Sequence, residues 1–159
     1  MTEYACRLLI VSRDLLTALG GSSSGDFVYR QLANLNRRGV LMLLTASAPD
    51  HWVPTRGSVD DAMEEQGRIE DRMRRMGGEF DGVYYVARSL LTQDRNRRGA
   101  LQDILRRYAL EAHESCLLSG SKPFIKAAAR LGLNTLDTTA SPKGISQLIE
   151  EIKPIQSEA

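Results

Sequence analysis

A chain of 159 residues with 42% apolar side chains has room for one domain around a single sizeable core. Its 21 basic and 20 acidic residues nearly cancel, which removes any global field drawing it to nucleic acid or an anionic membrane, so a charged ligand has to be recognised locally. No stretch approaches the ~20 apolar residues of a membrane span, and the N-terminus lacks a charged segment followed by a long apolar run, so a soluble cytoplasmic protein is expected.

Short apolar runs alternate with amphipathic segments along the chain, the pattern of a parallel sheet covered by helices. Cys6 to Val11 is the first strand. A Gly/Ser segment from Gly20 to Gly25 reads as a flexible loop. A helix follows from about Asp26, its N-cap, to Arg38, with Val28, Leu32 and Leu35 at helical spacing and Gly39 to end it. Val40 to Leu44 is too short and too continuously apolar for a helix and forms a second, buried strand. After a loop holding Pro49 and Pro54, Ser58 and Asp61 resemble a capping box opening a long helix to about Met76. Its stripe is Val59, Ala62, Met63, Gln66, Ile69, Met73 and Met76.

Gly82 to Val86 has the β-branched and aromatic content of a third strand. A helix from Arg98 to about Ala112 carries Leu101, Ile104, Leu105 and Tyr108 on one face, and Ser115 to Leu118 is a fourth strand. Pro123 suits the first turn of the next helix and Gly132 its end, ahead of a brief fifth strand near Thr135 and Leu136. A last helix from Ser141, with Pro142 in its first turn, repeats Ile145, Leu148, Ile149 and Ile152. Cys6 and Cys116 each lie against an apolar run and read as small buried hydrophobes rather than disulfide partners.

In an open sheet of this kind ligands bind beyond the carboxyl ends of the strands, where the winding reverses. That rule selects Ser12, Arg13 and Asp14 after the first strand, Thr45, Ala46 and Ser47 after the second, Arg88 and Arg95 after the third, and Ser119 to Lys122 after the fourth. These positions are expected to converge.

The order and spacing of these elements resemble the haloacid dehalogenase-like phosphatase superfamily, and within it the heptose-bisphosphate and histidinol-phosphate phosphatases with a small cap. Asp81-Gly82-Val83-Tyr84-Tyr85 is the nearest local match. The resemblance implies a nucleophilic aspartate at the position of Ser12 and a general acid at Asp14. It also implies a phosphoryl-binding hydroxyl at Thr45 and a neutralising lysine where Arg95 aligns, with Arg97 and Arg98 leaving that register open. Its magnesium-holding Gly-Asp reads Ser119-Gly120 here, and a further expected acid reads Phe124. Relatives also carry a Cys/His zinc loop, whereas Val86 to Ser89 offer no ligands of the kind zinc prefers. Magnesium is thus the cofactor the family implies, yet Asp14 alone would hold it poorly, so no metal site is expected.

Simpler readings stand beside these. A catalytic Ser12 would need an adjacent base, and the two histidines are His51 and His113. Asp14 equally suits the cap of a turn, Thr45 the end of a strand, and Arg95, Arg97 and Arg98 the start of a solvated helix. Arg72, Arg74 and Arg75 read as the polar face of the long helix rather than as a nucleic-acid patch, and Trp52 as a half-buried core residue or a lid.

The expectation is a single three-layer α/β domain with five parallel strands in the order 3-2-1-4-5. A vestigial cap would be formed by Gly20 to Gly25 and Ala46 to Gly57. The expected function is that of a catalytically defective phosphatase homologue binding an anionic small molecule or a protein partner. Its anion site would use Thr45, Arg95, Ser119, Ser121 and Lys122. An active phosphomonoesterase is the alternative, and an assembly protein with the mouth closed by Leu15, Leu16 or Phe124 is a third class.

Overall fold

The structure, a computed structural model, describes residues 3–47, 56–86, 93–140 and 144–155. Continuous apolar runs make the central strands. Leu8–Ser12 (β2), Leu41–Ser47 (β3) and Ser115–Ser119 (β5) are almost wholly buried, as strands covered on both faces must be. With Val83–Val86 (β4) and Asn134–Asp137 (β6) they form a five-stranded parallel sheet in the order β4-β3-β2-β5-β6. Numbered by these five strands alone, that is the expected 3-2-1-4-5.

Two helical layers cover the sheet. Leu9, Val11, Met42, Leu44, Cys116 and Leu118 point to one face, against Val28, Tyr29 and Leu32 of helix Ser23–Arg37 (α2) and Ile69 and Met73 of helix Arg56–Arg75 (α3). Leu148 and Ile149 of the short helix Ile145–Glu150 (α6) close the same side. Leu8, Ile10, Leu43 and Leu117 point the other way. They meet Leu101 and Ile104 of helix Gln93–Tyr108 (α4) and Phe124, Ala127 and Ala128 of helix Lys122–Leu131 (α5). Gly132 ends α5 with φ 94°, the left-handed conformation that glycine tolerates best. Among the described residues no helix is long and apolar enough to cross a membrane.

Several expectations are corrected. The first strand divides: Tyr4–Cys6 (β1) leaves the main sheet and pairs in parallel with Ile152–Pro154 (β7), so Ile152 is a strand residue and not the end of the last helix. A seven-residue helix, Arg13–Leu19 (α1), follows β2 directly. The Gly/Ser segment is not a free loop, because α2 starts at Ser23 and its N-cap is Ser22, whose hydroxyl accepts from the Gly25 amide at 3.2 Å. Asp26 therefore sits inside the first turn. The long helix begins at Arg56, ahead of Ser58, and Met63 on its expected apolar stripe is 67% exposed. Helix α4 begins at Gln93 and stops at Tyr108, so Arg95 lies within its first turn and Ala112 in a separate 3-10 turn. Ser141, Pro142, His51, Trp52, Arg88 and most of the expected Ala46–Gly57 cap segment lie outside the described residues. Both cysteines are free and buried. The Cys6 thiol is held far above its usual range by its hydrogen bond with Cys116 and by burial.

Candidate anion-binding site

Parallel register brings the strand-end residues into one row at the carboxyl edge of the sheet. Ser12 is the Cα partner of Thr45, and Ser119 that of Asp137. The Ser12 hydroxyl joins the two halves by donating to Ser119 Oγ at 2.7 Å. Ser119 is fully buried, and its oxygen also accepts the Ser121 amide at 3.0 Å, which turns the chain from β5 into α5. Thr45 is buried beside Ser12.

This arrangement shows what Ser12 can do. Its proton is committed to another hydroxyl, which is no base, so among the described residues nothing raises its nucleophilicity. His113 lies in the 3-10 turn just before β5, at the far end of a strand that rises about 13 Å to Ser119.

The charged groups around the row divide sharply. Arg13, the first residue of α1, is only 8% exposed. Its Nη1 donates to Gln66 Oε1 at 3.1 Å, and its guanidinium stands 5.7 Å from the centre of the Tyr85 ring. The Gln66 amide is oriented in turn by donating to Glu70 at 3.1 Å. Among the described residues no carboxylate pairs with Arg13. Asp14 is exposed in the first turn of α1, where a negative charge suits the helix dipole. Lys122, at the start of α5, is exposed and close enough to Asp137 to act on its titration. Arg95 is exposed on α4.

Asp137 was not singled out from sequence, although an Asp-Thr-Thr run after a short strand is a turn signal. Its Oδ1 accepts the Thr139 amide at 2.9 Å and the Thr139 hydroxyl at 2.7 Å. Partial burial opposes ionisation, but those bonds, the Ala140 amide and Lys122 prevail and hold the carboxyl below its ordinary range.

Gly120 lies where a side chain would point between Thr138 and Leu15: a Cβ there would stand 3.0 Å from Thr138 Oγ1 and 3.6 Å from Leu15 Cδ2. Leu16 and Phe124 belong to the two apolar cores on opposite faces of the sheet. Among the described residues no three of His, Cys, Asp and Glu gather as metal ligands would.

No protein-family model and no curated sequence matches the chain. Solved structures do. The chain is similar to an uncharacterized protein from Corynebacterium glutamicum at TM-score 0.58 and 16% identity, covering 92% of each chain. It is equally similar, at TM-score 0.58 and 19% identity, to the D,D-heptose 1,7-bisphosphate phosphatase of B. bronchiseptica. That likeness covers 81% of this chain and 78% of the phosphatase, which was solved with magnesium and phosphate. The chain has the haloacid dehalogenase-like fold.

Proposed function

We propose that this protein is a catalytically defective homologue of the haloacid dehalogenase-like phosphatases that binds an anionic small molecule at the carboxyl edge of its sheet. The observation that carries the reading is the Ser12–Ser119 hydroxyl pair, in which Ser12 holds the position the resemblance gives to the nucleophile and Ser119 precedes Gly120, the position it gives to a metal carboxylate. Magnesium wants several hard, mostly charged oxygen ligands. Two neutral hydroxyls bonded to each other, a glycine at 120 and an apolar-core Phe124 do not supply them, so these residues do not fit that ion. Anion binding is supported by Arg13, a nearly buried cation with one neutral hydrogen-bond acceptor among the described residues, an arrangement that an anion would complete. Thr45, Ser121 and Lys122 stand ready to supply further donors.

Orthophosphate is the simplest probe. At one hundred times its dissociation constant it should stabilise the wild-type fold by ~2.7 kcal/mol. Melts at constant ionic strength should show that gain in wild type and lose it in Arg13→Met; equal gains in both would remove the anion site and leave a protein partner as the better reading. The fold and the retained Asp14 favour a second reading, an active phosphomonoesterase. A magnesium-dependent assay on p-nitrophenyl phosphate decides it. Neither wild type nor Ser12→Asp should turn over, because charge neutralisation is missing along with the nucleophile; turnover by wild type would establish the enzyme.

A further inference from the structure

Next to the strand-end row, with which it shares Lys122, helices α4 and α5 line a surface cleft of about 280 Å³ with Arg98, Lys122, Pro123, Lys126, Ala127 and Arg130. Four of these six residues are cations, in a protein whose formal net charge is only +1. Lys122, Lys126 and Arg130 recur every fourth residue, so they share one face of α5 with neighbouring Cβ atoms about 5–6 Å apart. Arg98 reaches the same cleft from α4.

An amphipathic helix normally displays its charges singly to water or pairs them along its own face. Helix α3 does the latter: Arg68 meets Glu64, and Arg74 meets Glu70 and Asp71. Helix α5 contains no acid at all. Among the described residues Arg98, Lys126 and Arg130 have no carboxylate partner, and only Lys122 has an acid near it, Asp137. Packing like charges around one concavity is unfavourable in the free protein and becomes favourable when an anion fills it.

The spacing and the lining define the ligand. Three cations spread over eight residues span about 12 Å along the helix, too far for one orthophosphate to meet all of them. The floor, Pro123 and Ala127, offers neither a hydroxyl for sugar recognition nor an aromatic ring for base stacking, which single-stranded nucleic acid would use. We propose that the α4–α5 cleft is a binding site for a compact polyphosphate, a small molecule carrying several linked phosphoryl groups. Flexible lysine and arginine stems let the four cations converge on such a chain.

Inorganic tripolyphosphate is the probe, titrated calorimetrically into the full chain at fixed ionic strength. Saturable binding is expected in wild type and weakened at least tenfold in Lys126→Gln/Arg130→Gln. The double variant, which leaves Arg13 and Lys122 in place, should keep the orthophosphate stabilisation expected of the strand-end row, so failure of one site is distinguishable from failure of the other. Both substituted side chains of the double variant are exposed, so its fold should survive, and circular dichroism checks it; Lys126→Glu is a second, single-site disruption. Equal tripolyphosphate affinity in wild type and both cleft variants would overturn the proposal. So would the absence of saturable binding, or a twelve-nucleotide single strand that binds and depends on Lys126 where tripolyphosphate does not.

Discussion

Arg72 and Arg13 are both largely withdrawn from water, on neighbouring helices, and their surroundings differ completely. Arg72 uses its whole guanidinium. Its Nε donates to Asp26 at 2.9 Å and its Nη2 to the Ser22 carbonyl at 3.0 Å, while the Gly20 carbonyl accepts from Nη1. It also lies 4.6 Å from the Tyr29 ring centre. Those partners tie α3 to the junction of α1 and α2. Among the described residues Arg13 has one amide oxygen as acceptor and stands over the Tyr85 ring, 5.7 Å from its centre. A saturated arginine fastens the fold, whereas a buried arginine with spare donors costs stability that only a ligand returns. The α5 cations extend the second type to the surface.

The largest expected effect breaks the saturated side. Arg72→Ala leaves Asp26 and two carbonyls without their partner and should destabilise the protein by about 3 kcal/mol, read from urea unfolding. Arg13→Met should be neutral or stabilising in the same experiment, because an apolar side chain of similar length removes a nearly buried charge that has no carboxylate partner among the described residues. If Arg13→Met unfolds as readily as Arg72→Ala, the two arginines are equivalent structural parts and the contrast collapses.

Gly25→Ala sharpens the clamp with a smaller effect. A Cβ at 25 would stand 2.7 Å from Arg72 Nη2, so the guanidinium must move. Alanine in a helix is worth ~0.5–1 kcal/mol over glycine, which opposes that loss. Because the guanidinium is held by several partners, the displacement should win, giving a net destabilisation below that of Arg72→Ala. A raised unfolding midpoint would mean that the clamp tolerates rearrangement.

What was legible in the sequence follows the same division between dense and sparse information. The five-strand order was readable because runs such as Leu41–Leu44 and Cys116–Leu118 admit no other element at that length. The split at Arg7 was not, since Tyr4–Cys6 owes its strand to pairing with Ile152–Pro154, nearly the whole chain away. Helix α1 was missed because seven residues show barely two turns of periodicity, and Ser22 was passed over as a cap because serine and glycine on both sides made the segment look unstructured. Of the site, Ser12, Thr45 and Ser119 were placed together correctly by the strand-end rule. The Ser12–Ser119 bond depends on side-chain rotation that no spacing reports, and Arg13 was weighed only as a charge. Of the α5 cations only Lys122 was singled out, because the wall that α4 adds beside Lys126 and Arg130 is a tertiary feature that spacing along one helix does not report.

The smallest expected effect joins the row to the cleft through Asp137. Its folded-state carboxyl titrates below the ordinary value near 3.9, so the charged form is favoured by folding. The resulting stability is complete above the unfolded-state value and disappears as pH falls through the lowered folded one. Asp137→Asn keeps an oxygen for Thr139 but not the charge beside Lys122. Stability measured from pH 5 to 2 should therefore fall less steeply in the variant, with little change at pH 7 for so exposed a pair. At neutral pH the same substitution frees Lys122 from the one acid acting on it among the described residues, and tripolyphosphate should bind tighter by roughly two- to fivefold, the worth of an exposed ion pair. Unchanged affinity would mean that Lys122 already faces the cleft undivided, while weaker binding would place Asp137 among the groups that hold the ligand.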